Sequence, residues 1–323
     1  MERDRQGKVP DTGRKSLLSD KRRAELMLIA ITVIWGLTFA LIKKSLESVQ
    51  PFVFMAWRFW LAALVMGAIG ARRLRHIDWP IMRDGLLLGV LLYASYSFQT
   101  FGLQHTTAGN AGFITGLFIV FTPLLAAIFL RHRPDLKSIA AVVVAVIGLA
   151  VLSLQPGIGI RIGDALVLAC AFLYSVHIIL LDGYVKKYDL VLLTFVQMLI
   201  LAVAFTASGL IFEKFTVPDT GFVWMTIAIC GVLASAMAFY VQGYAQRILT
   251  PVRTSMVLIM EPVFSVVFGI IILGEHLTWR SWLGCALIFM GMVLTEIPLE
   301  RLWTRETKAA GALQPDRAST EDP

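Results

Sequence analysis

Ten apolar stretches, each about the length of one bilayer crossing, run through the chain. They lie at 24–43, 51–70, 83–103, 109–130, 138–155, 162–182, 189–211, 221–245, 251–273 and 279–297. A hydrocarbon core of about 30 Å takes roughly 20 helical residues at about 1.5 Å each. Backbone polar groups find no water there, so only helices and closed barrels cross it. The stretches are too long for barrel strands and do not alternate with period two, which leaves helices. Lys43-Lys44, Arg72-Arg73, Arg131 to Pro134, Pro156-Gly157, Lys186-Lys187, Pro218, Pro251 and Glu275 bound them. The links are mostly short, so consecutive helices are expected to be antiparallel neighbours. Charged residues make up 16% of the chain, against about 25% in soluble domains, and they crowd into the two tails. Between the tails, a soluble domain, a disordered chain and a disulfide scaffold are all excluded.

Lysine and arginine set the expected orientation, because cytoplasmic flanks carry the excess. With the N-terminus inside, cytoplasmic segments hold 23 of the 29 Lys and Arg residues and external segments hold 5. Both termini are therefore expected in the cytoplasm, with an even number of crossings of the cytoplasmic (inner) membrane. Trp57, Trp60, Trp79, Trp224, Trp279 and Trp282 lie near stretch ends, as interfacial anchors do. Lys21, Arg22 and Arg23 precede the first stretch. No cleavage signature followed by a soluble chain appears, so that stretch reads as a retained helix. The net charge of +7 is dispersed over loops and tails, without the contiguous basic face that nucleic acid needs. Cys170, Cys230 and Cys285 each lie inside an apolar stretch. Their odd count and spacing give neither a disulfide framework nor a zinc signature, and they read as small core residues.

The two halves resemble each other. Residues 111–154 and 254–297 both form an apolar stretch with a central proline, a polar break, and a second stretch with a glycine near its end. Pro123 pairs with Pro262 and Gly148 with Gly291. YSFQTFGLQ at 96–104 and FYVQGYAQ at 239–246 are also alike. The chain thus divides into a basic cytoplasmic N-tail (1–23), a first five-helix repeat (24–155), a second (160–297) and a disordered cytoplasmic C-tail (298–323). Five is odd, so two such units in series must insert with opposite orientation. The expected fold is an all-α polytopic membrane protein with ten transmembrane helices in two inverted five-helix repeats. That symmetry suits alternating access, since the halves can exchange conformations. Pro123 and Pro262 each remove a backbone donor and crowd the carbonyl four residues back. They are the expected hinges, although a packing kink would explain the same prolines.

Several motifs resemble the drug/metabolite transporter superfamily, in its ten-helix EamA-like branch. They are WGLTF with Trp35, Gly36 and Phe39, the pair Arg58-Phe59, Gly163-Asp164, Glu261-Pro262, and LGE at 273–275. The resemblance covers about residues 24–297. It departs at 130–134, where LRHRP replaces a Leu-Gly-Glu-Arg-like turn, which leaves no acid at that turn to carry a role. The resemblance implies a cytoplasmic-membrane carrier of metabolites, often amino acids or related small polar compounds, commonly moving them outward.

Polar side chains at membrane depth are costly and usually face a cavity or each other. Glu261 is the deepest acid and directly precedes Pro262. It reads as an ammonium ligand or a protonatable coupling site, or else as a structural carboxylate. His177 lies one turn after Tyr174, far from either interface. Arg58 reads as snorkelling towards headgroups beside Trp57 and Trp60, or as a carboxylate ligand. Tyr93 and Tyr96 share a helical face, as do Tyr240 and Tyr244. Their rings suit a cation or an aromatic group. Asn110 reads as a cap or a polar lining group, and Gln197 is a further candidate. Trp35 lies mid-stretch, away from the belts. The expected substrate lining is Trp35, Tyr93, Tyr96, Tyr174, His177, Tyr240 and Glu261.

No phosphate-binding GxxxxGK[ST] loop, HExxH or GxSxG motif occurs. No catalytic residue, metal or cofactor is implied. The expected partners are a small-molecule substrate, the lipid bilayer and protons, with oligomeric state open. The function expected is secondary transport of small polar or amphipathic metabolites, in the efflux direction. A broad exporter of lipophilic cations is the alternative, with an intramembrane enzyme or a non-transporting receptor behind it.

Overall fold

The computed structural model describes residues 12–129, 136–155 and 159–296. The expectations for the first eleven residues, the LRHRP turn and the C-tail lie outside them. Helix occupies each of the ten apolar stretches. The elements are α1 (Thr12–Ser45), α2 (Pro51–Gly70), α3 (Trp79–Gln104), α4 (Ala108–Thr115), α5 (Phe118–Phe129), α6 (Leu136–Ser153), α7 (Ile162–Val185), α8 (Leu190–Phe212), α9 (Gly221–Ala228), α10 (Ala238–Ile248), α11 (Pro251–Val257), α12 (Glu261–Leu273) and α13 (Trp279–Glu296). Among the described residues, seven helical runs are long and apolar enough to cross a membrane: 20–45, 51–70, 79–104, 108–129, 162–185, 190–212 and 221–248. The protein is a polytopic, all-helical membrane protein. Its minor exception is a pair of two-residue antiparallel strands, Leu154–Gln155 and Gly159–Ile160, between α6 and α7.

Local chemistry sets the helix starts. Asp78 accepts from the Ile81 amide at the head of α3, Asp189 from Val191 and Leu192 at α8, and Thr220 from Val223 at α9. Each satisfies amides that have no partner inside their own helix. At α4 the cap is Thr107, which accepts from the Asn110 amide. Asn110 is therefore not the cap, and it lies inside the first turn.

Three of the ten apolar stretches change helix type or break part-way along. Between α4 and α5 the helix breaks at Gly116–Leu117, not at Pro123, which sits inside α5. The break in this half thus lies nearly two turns before the expected hinge. Between α11 and α12 a 3-10 turn, Leu258–Met260, precedes Pro262. The proline occupies the first turn of α12, where its missing N–H costs nothing. Between α9 and α10 lies a π-helical segment, Ile229–Met237, which the sequence reading did not anticipate.

Packing follows a regular scheme. α2 lies along α8, α4 along α12, α6 along α13, α3 along α7, and α1 along α10 and α12. Two links fix relative direction. Glu213, just past the end of α8, accepts from the Phe52 and Val53 amides that begin α2. Glu275, just past the end of α12, accepts from the Ala108 and Gly109 amides that begin α4. The end of each later helix therefore meets the start of its partner, and both pairs are antiparallel. Gly274, at φ 64°, ends α12 in the left-handed conformation that glycine adopts without strain and so aims Glu275 back at α4.

Large apolar side chains such as Leu64, Ile69, Ile128, Phe129, Val146 and Phe212 are exposed on the outside of the bundle. In water this surface would aggregate, whereas hydrocarbon requires it.

Candidate functional site

A cleft opens among α1, α2, α3, α4, α7 and α12. It is lined by Trp35, Thr38, Phe39, Arg58, Ser95, Tyr96, Gln99, Thr115, Cys170, Tyr174 and Glu261. Arg58 lies seven residues past Pro51, Thr115 seven past Ala108, and Gln99 five before Gln104. At about 1.5 Å per residue, these groups sit roughly 10 Å below the end of the bundle that carries the 46–50 loop. The space within is ≈ 30 Å³, room for a water or two.

Close helix contacts hold Glu261 in this wall. A Cβ on Gly36 would come within 2.4 Å of Phe264 Cβ, and one on Gly112 within 1.8 Å of Ser265 Oγ. Only glycine lets α1 and α4 approach α12 so closely. Glu261 then enters from the first turn of α12, after the 3-10 break. It is 4% exposed, and its Oε2 has no hydrogen-bond partner among the described residues.

The π-helical segment positions two further groups. Its Ala234 carbonyl accepts from Trp35 Nε1 at 2.9 Å, and Ser235 Oγ accepts from Arg58 Nε at 2.9 Å. Such bulges release backbone carbonyls from the helical ladder and recur at functional sites. The Arg58 guanidinium also lies 4.8 Å from the Tyr96 ring centre and 5.1 Å from that of Phe59. Its cation thus rests on two aromatic faces. Arg58 is 2% exposed. It does not snorkel to the interface but turns into the bundle.

Of the seven expected lining residues, Trp35, Tyr96, Tyr174 and Glu261 meet in this cleft. Tyr93 points from the same helix towards α8, where its hydroxyl lies 2.6 Å from Ser208 Oγ. Tyr240 lines a different, largely apolar hollow with Val65, Met66 and Met237. His177 is fully buried below the cleft, stacked on Tyr174 at 5.9 Å and bonded through Nε2 to Gln197 Oε1 at 2.9 Å. Tyr174 donates to Gln242 Oε1, and Gln246 donates to the Ile178 carbonyl. Together these side chains form a polar layer joining α7, α8 and α10 beneath the cleft floor. Arg58, Ser95, Gln99 and Thr115 line the cleft without having been placed in the expected lining. Depth and the Arg58-Phe59 motif marked Arg58, and Gln99 stood out as a polar group on the third stretch, but nothing in the sequence marked Ser95 or Thr115.

Electrostatics outside the spans are simpler. Burial pushes the Glu213 carboxyl above the ordinary carboxylate range, and the amides of Phe52 and Val53 pull it part of the way back. Among the described residues no group of three or more His, Cys, Asp or Glu side chains is arranged to hold a metal ion.

Comparison with known proteins places this architecture. The model of the EamA-like transporter family matches twice, over residues 22–154 and 161–297. An uncharacterized transporter of Archaeoglobus fulgidus is 29% identical over 276 residues, covering 85% of this chain and 86% of its own. The uncharacterized transporter YcxC of Bacillus subtilis is 28% identical over 297 residues, 86% of this chain and 94% of its own. A protein of Streptantibioticus cattleyicolor described as a probable terminal-alkyne amino-acid exporter is 27% identical over 286 residues, with 84% and 93% covered. One solved crystal structure matches with a TM-score of 0.65 at 21% identity, covering 84% of this chain and 96% of that one. That likeness is one of fold.

Proposed function

Because the chain belongs to the EamA-like transporter family, we propose that it is a secondary transporter working by alternating access. Its substrates are small polar or amphipathic metabolites, amino acids or related compounds among them, exported across the cytoplasmic membrane. The observation that carries this reading is the carboxyl of Glu261, buried in the cleft with an oxygen left unpartnered. A buried polar group without a partner is expensive, and substrate or a proton relieves the cost.

The packing scheme supports ten crossings in two inverted repeats. With the apolar stretches numbered in order, the second pairs with the seventh, the fourth with the ninth and the fifth with the tenth. The third pairs with the sixth, and the first with the eighth. Exchanging each stretch for the one five places away returns the same scheme. The second and seventh, and the fourth and ninth, also run antiparallel through the Glu213 and Glu275 links. On this reading the repeats are 24–155 and 160–297, both termini are cytoplasmic, and the 46–50 loop is external. The cleft then lies nearer the outside, and the layer of Tyr174, His177, Gln197, Gln242 and Gln246 closes the cytoplasmic side. A space of ≈ 30 Å³ is too small for an amino acid, so the helices must part to load it. The breaks at Gly116–Leu117 and Leu258–Met260 lie where α4–α5 and α11–α12 can flex. Pro262 adjoins the second break. Tyr93 and Tyr240 support the walls, and Pro123, inside α5, leaves one helix hydrogen bond unmade.

Aromatic walls beside an unpaired carboxylate also suit a lipophilic cation, which keeps a broad cation exporter as the second reading. Proteoliposomes settle between them. Flux of labelled amino acids that Glu261→Gln abolishes, or whose pH dependence it alters, supports the proposal. Full activity of that variant with an unchanged pH profile removes the role of Glu261. Stronger inhibition by ethidium-like cations than by amino acids favours the second reading.

A further inference from the structure

The cleft holds a guanidinium and a carboxyl group that do not meet. Arg58 and Glu261 both line it and both are almost wholly buried, yet no ion pair joins them among the described residues. Burying either group without a partner is costly, and each is held by surroundings of its own. Ser235 Oγ holds Arg58 Nε, and the rings of Tyr96 and Phe59 hold the guanidinium plane. Glu261 is fixed by the first turn of α12, wedged against α1 and α4 through the close contacts at Gly36 and Gly112.

Neither group is fully satisfied by the described residues. Arg58 spends Nε on Ser235, and its two terminal nitrogens have no hydrogen-bond partner among the described residues. Those two nitrogens form the planar fork that suits a carboxylate. Glu261 Oε2 likewise lacks a donor. Several neighbouring polar groups are already engaged: Ser95 with the Cys170 carbonyl, Thr38 with the Trp35 carbonyl, and the Gln99 amide nitrogen with Thr115.

Resting on the transport reading above, we propose that Arg58 and Glu261 form a two-point site for a zwitterion. Arg58 takes the ligand's carboxylate and Glu261 its ammonium, while Trp35, Tyr96 and Tyr174 contact the remainder. Charge balance distinguishes this from either single-point alternative. A zwitterion satisfies both residues and adds no net charge to the low-dielectric cleft. A simple amine leaves the Arg58 fork empty and adds a positive charge. A simple acid leaves Glu261 unpartnered and adds a negative one. Charge-assisted hydrogen bonds in a buried site are strong enough that losing one weakens binding by about tenfold or more.

The test is competition in proteoliposomes, using labelled phenylalanine efflux and three unlabelled competitors of one skeleton: phenylalanine, phenethylamine and 3-phenylpropionate. The wild type should be inhibited by phenylalanine at concentrations about tenfold or more below those needed for either analogue. Arg58→Gln should lower that preference over the amine to near unity, and Arg58→Lys should restore part of it. Size-exclusion profiles in detergent show which variants fold, and the wild-type series stands without any variant. Equal inhibition by phenylalanine and phenethylamine overturns the two-point site while leaving transport intact. Retention of the full preference in folded Arg58→Gln overturns the assignment of Arg58. If a broad panel of labelled amino acids, amines and acids gives no flux, the transport reading fails and takes this site with it.

Discussion

Glu275 offers a quantitative handle on how the two halves are joined. Its Oε1 accepts from the Ala108 amide at 2.7 Å and its Oε2 from the Gly109 amide at 3.1 Å. Lys43 Nζ lies 3.8 Å from Oε1 and also donates to the Thr106 carbonyl. Glu275→Ala would leave two amides at the buried head of α4 without acceptors. Each such donor costs about 1–3 kcal/mol, so the loss should total roughly 2–6 kcal/mol. Glu275→Gln keeps one acceptor oxygen and should lose about half of that. The ion pair with the part-exposed Lys43 contributes at most about 1 kcal/mol, so Lys43→Gln should be the mildest of the three. Thr107 still caps Asn110 in every variant, so α4 should form but dock less firmly on α12. Unfolding in mixed micelles titrated with dodecyl sulfate gives the order directly. If Glu275→Ala unfolds at the same detergent fraction as wild type, the cross-helix cap is not holding α4, and the argument fails.

Three other perturbations follow from the packing. Gly112→Ala should destabilise the bundle by about 1–3 kcal/mol, because the new methyl overlaps Ser265; Ser265→Gly in the same chain should recover part of the loss, and no recovery would show the contact to be misassigned. Trp35→Phe removes the donor to the Ala234 carbonyl and should cost about 1–3 kcal/mol by the same micelle titration. Glu213 has a carboxyl raised by burial, so its charging disfavours the folded state. The stability it contributes is present in full below the ordinary value of 4.5 and declines as pH rises through the folded value. Thermal melts should show that decline, and Glu213→Gln should flatten it; a profile unchanged by the substitution would contradict the assignment.

Much of the fold was legible because hydrocarbon leaves a chain few options. Length and apolarity located all ten helical stretches, and charges, prolines and capping residues marked their ends. The helix interiors were harder. Nothing in ICGVLASAM announces a π-helical segment, since it contains no proline. What accompanies it is tertiary, namely the approach of Gly231 to the Arg58 carbonyl, where a Cβ would sit at 2.8 Å. Rotation about the helix axis was also hidden. Tyr93 and Tyr96 share a face at helical spacing, yet a step of three residues turns one towards the cleft and the other towards Ser208. The depth of Arg58 was legible but not its direction, so an interfacial anchor and a carboxylate ligand both stayed open; its neighbours are Ser235, Phe59 and Tyr96. Glu261 was found because an acid at mid-membrane depth is costly wherever it points. His177 was equally conspicuous but lies under the cleft, where Gln197 engages it.

The inversion of the two halves is tested most directly by one-sided labelling of two engineered cysteines. In a chain with Cys170, Cys230 and Cys285 replaced by alanine, Ser48→Cys marks the loop after the first helix of the first half. Lys187→Cys marks the corresponding loop of the second half. With an impermeant maleimide on intact cells, Ser48→Cys should label at once and Lys187→Cys only after permeabilisation. Labelling of both from the same side would give the halves one orientation and contradict the account.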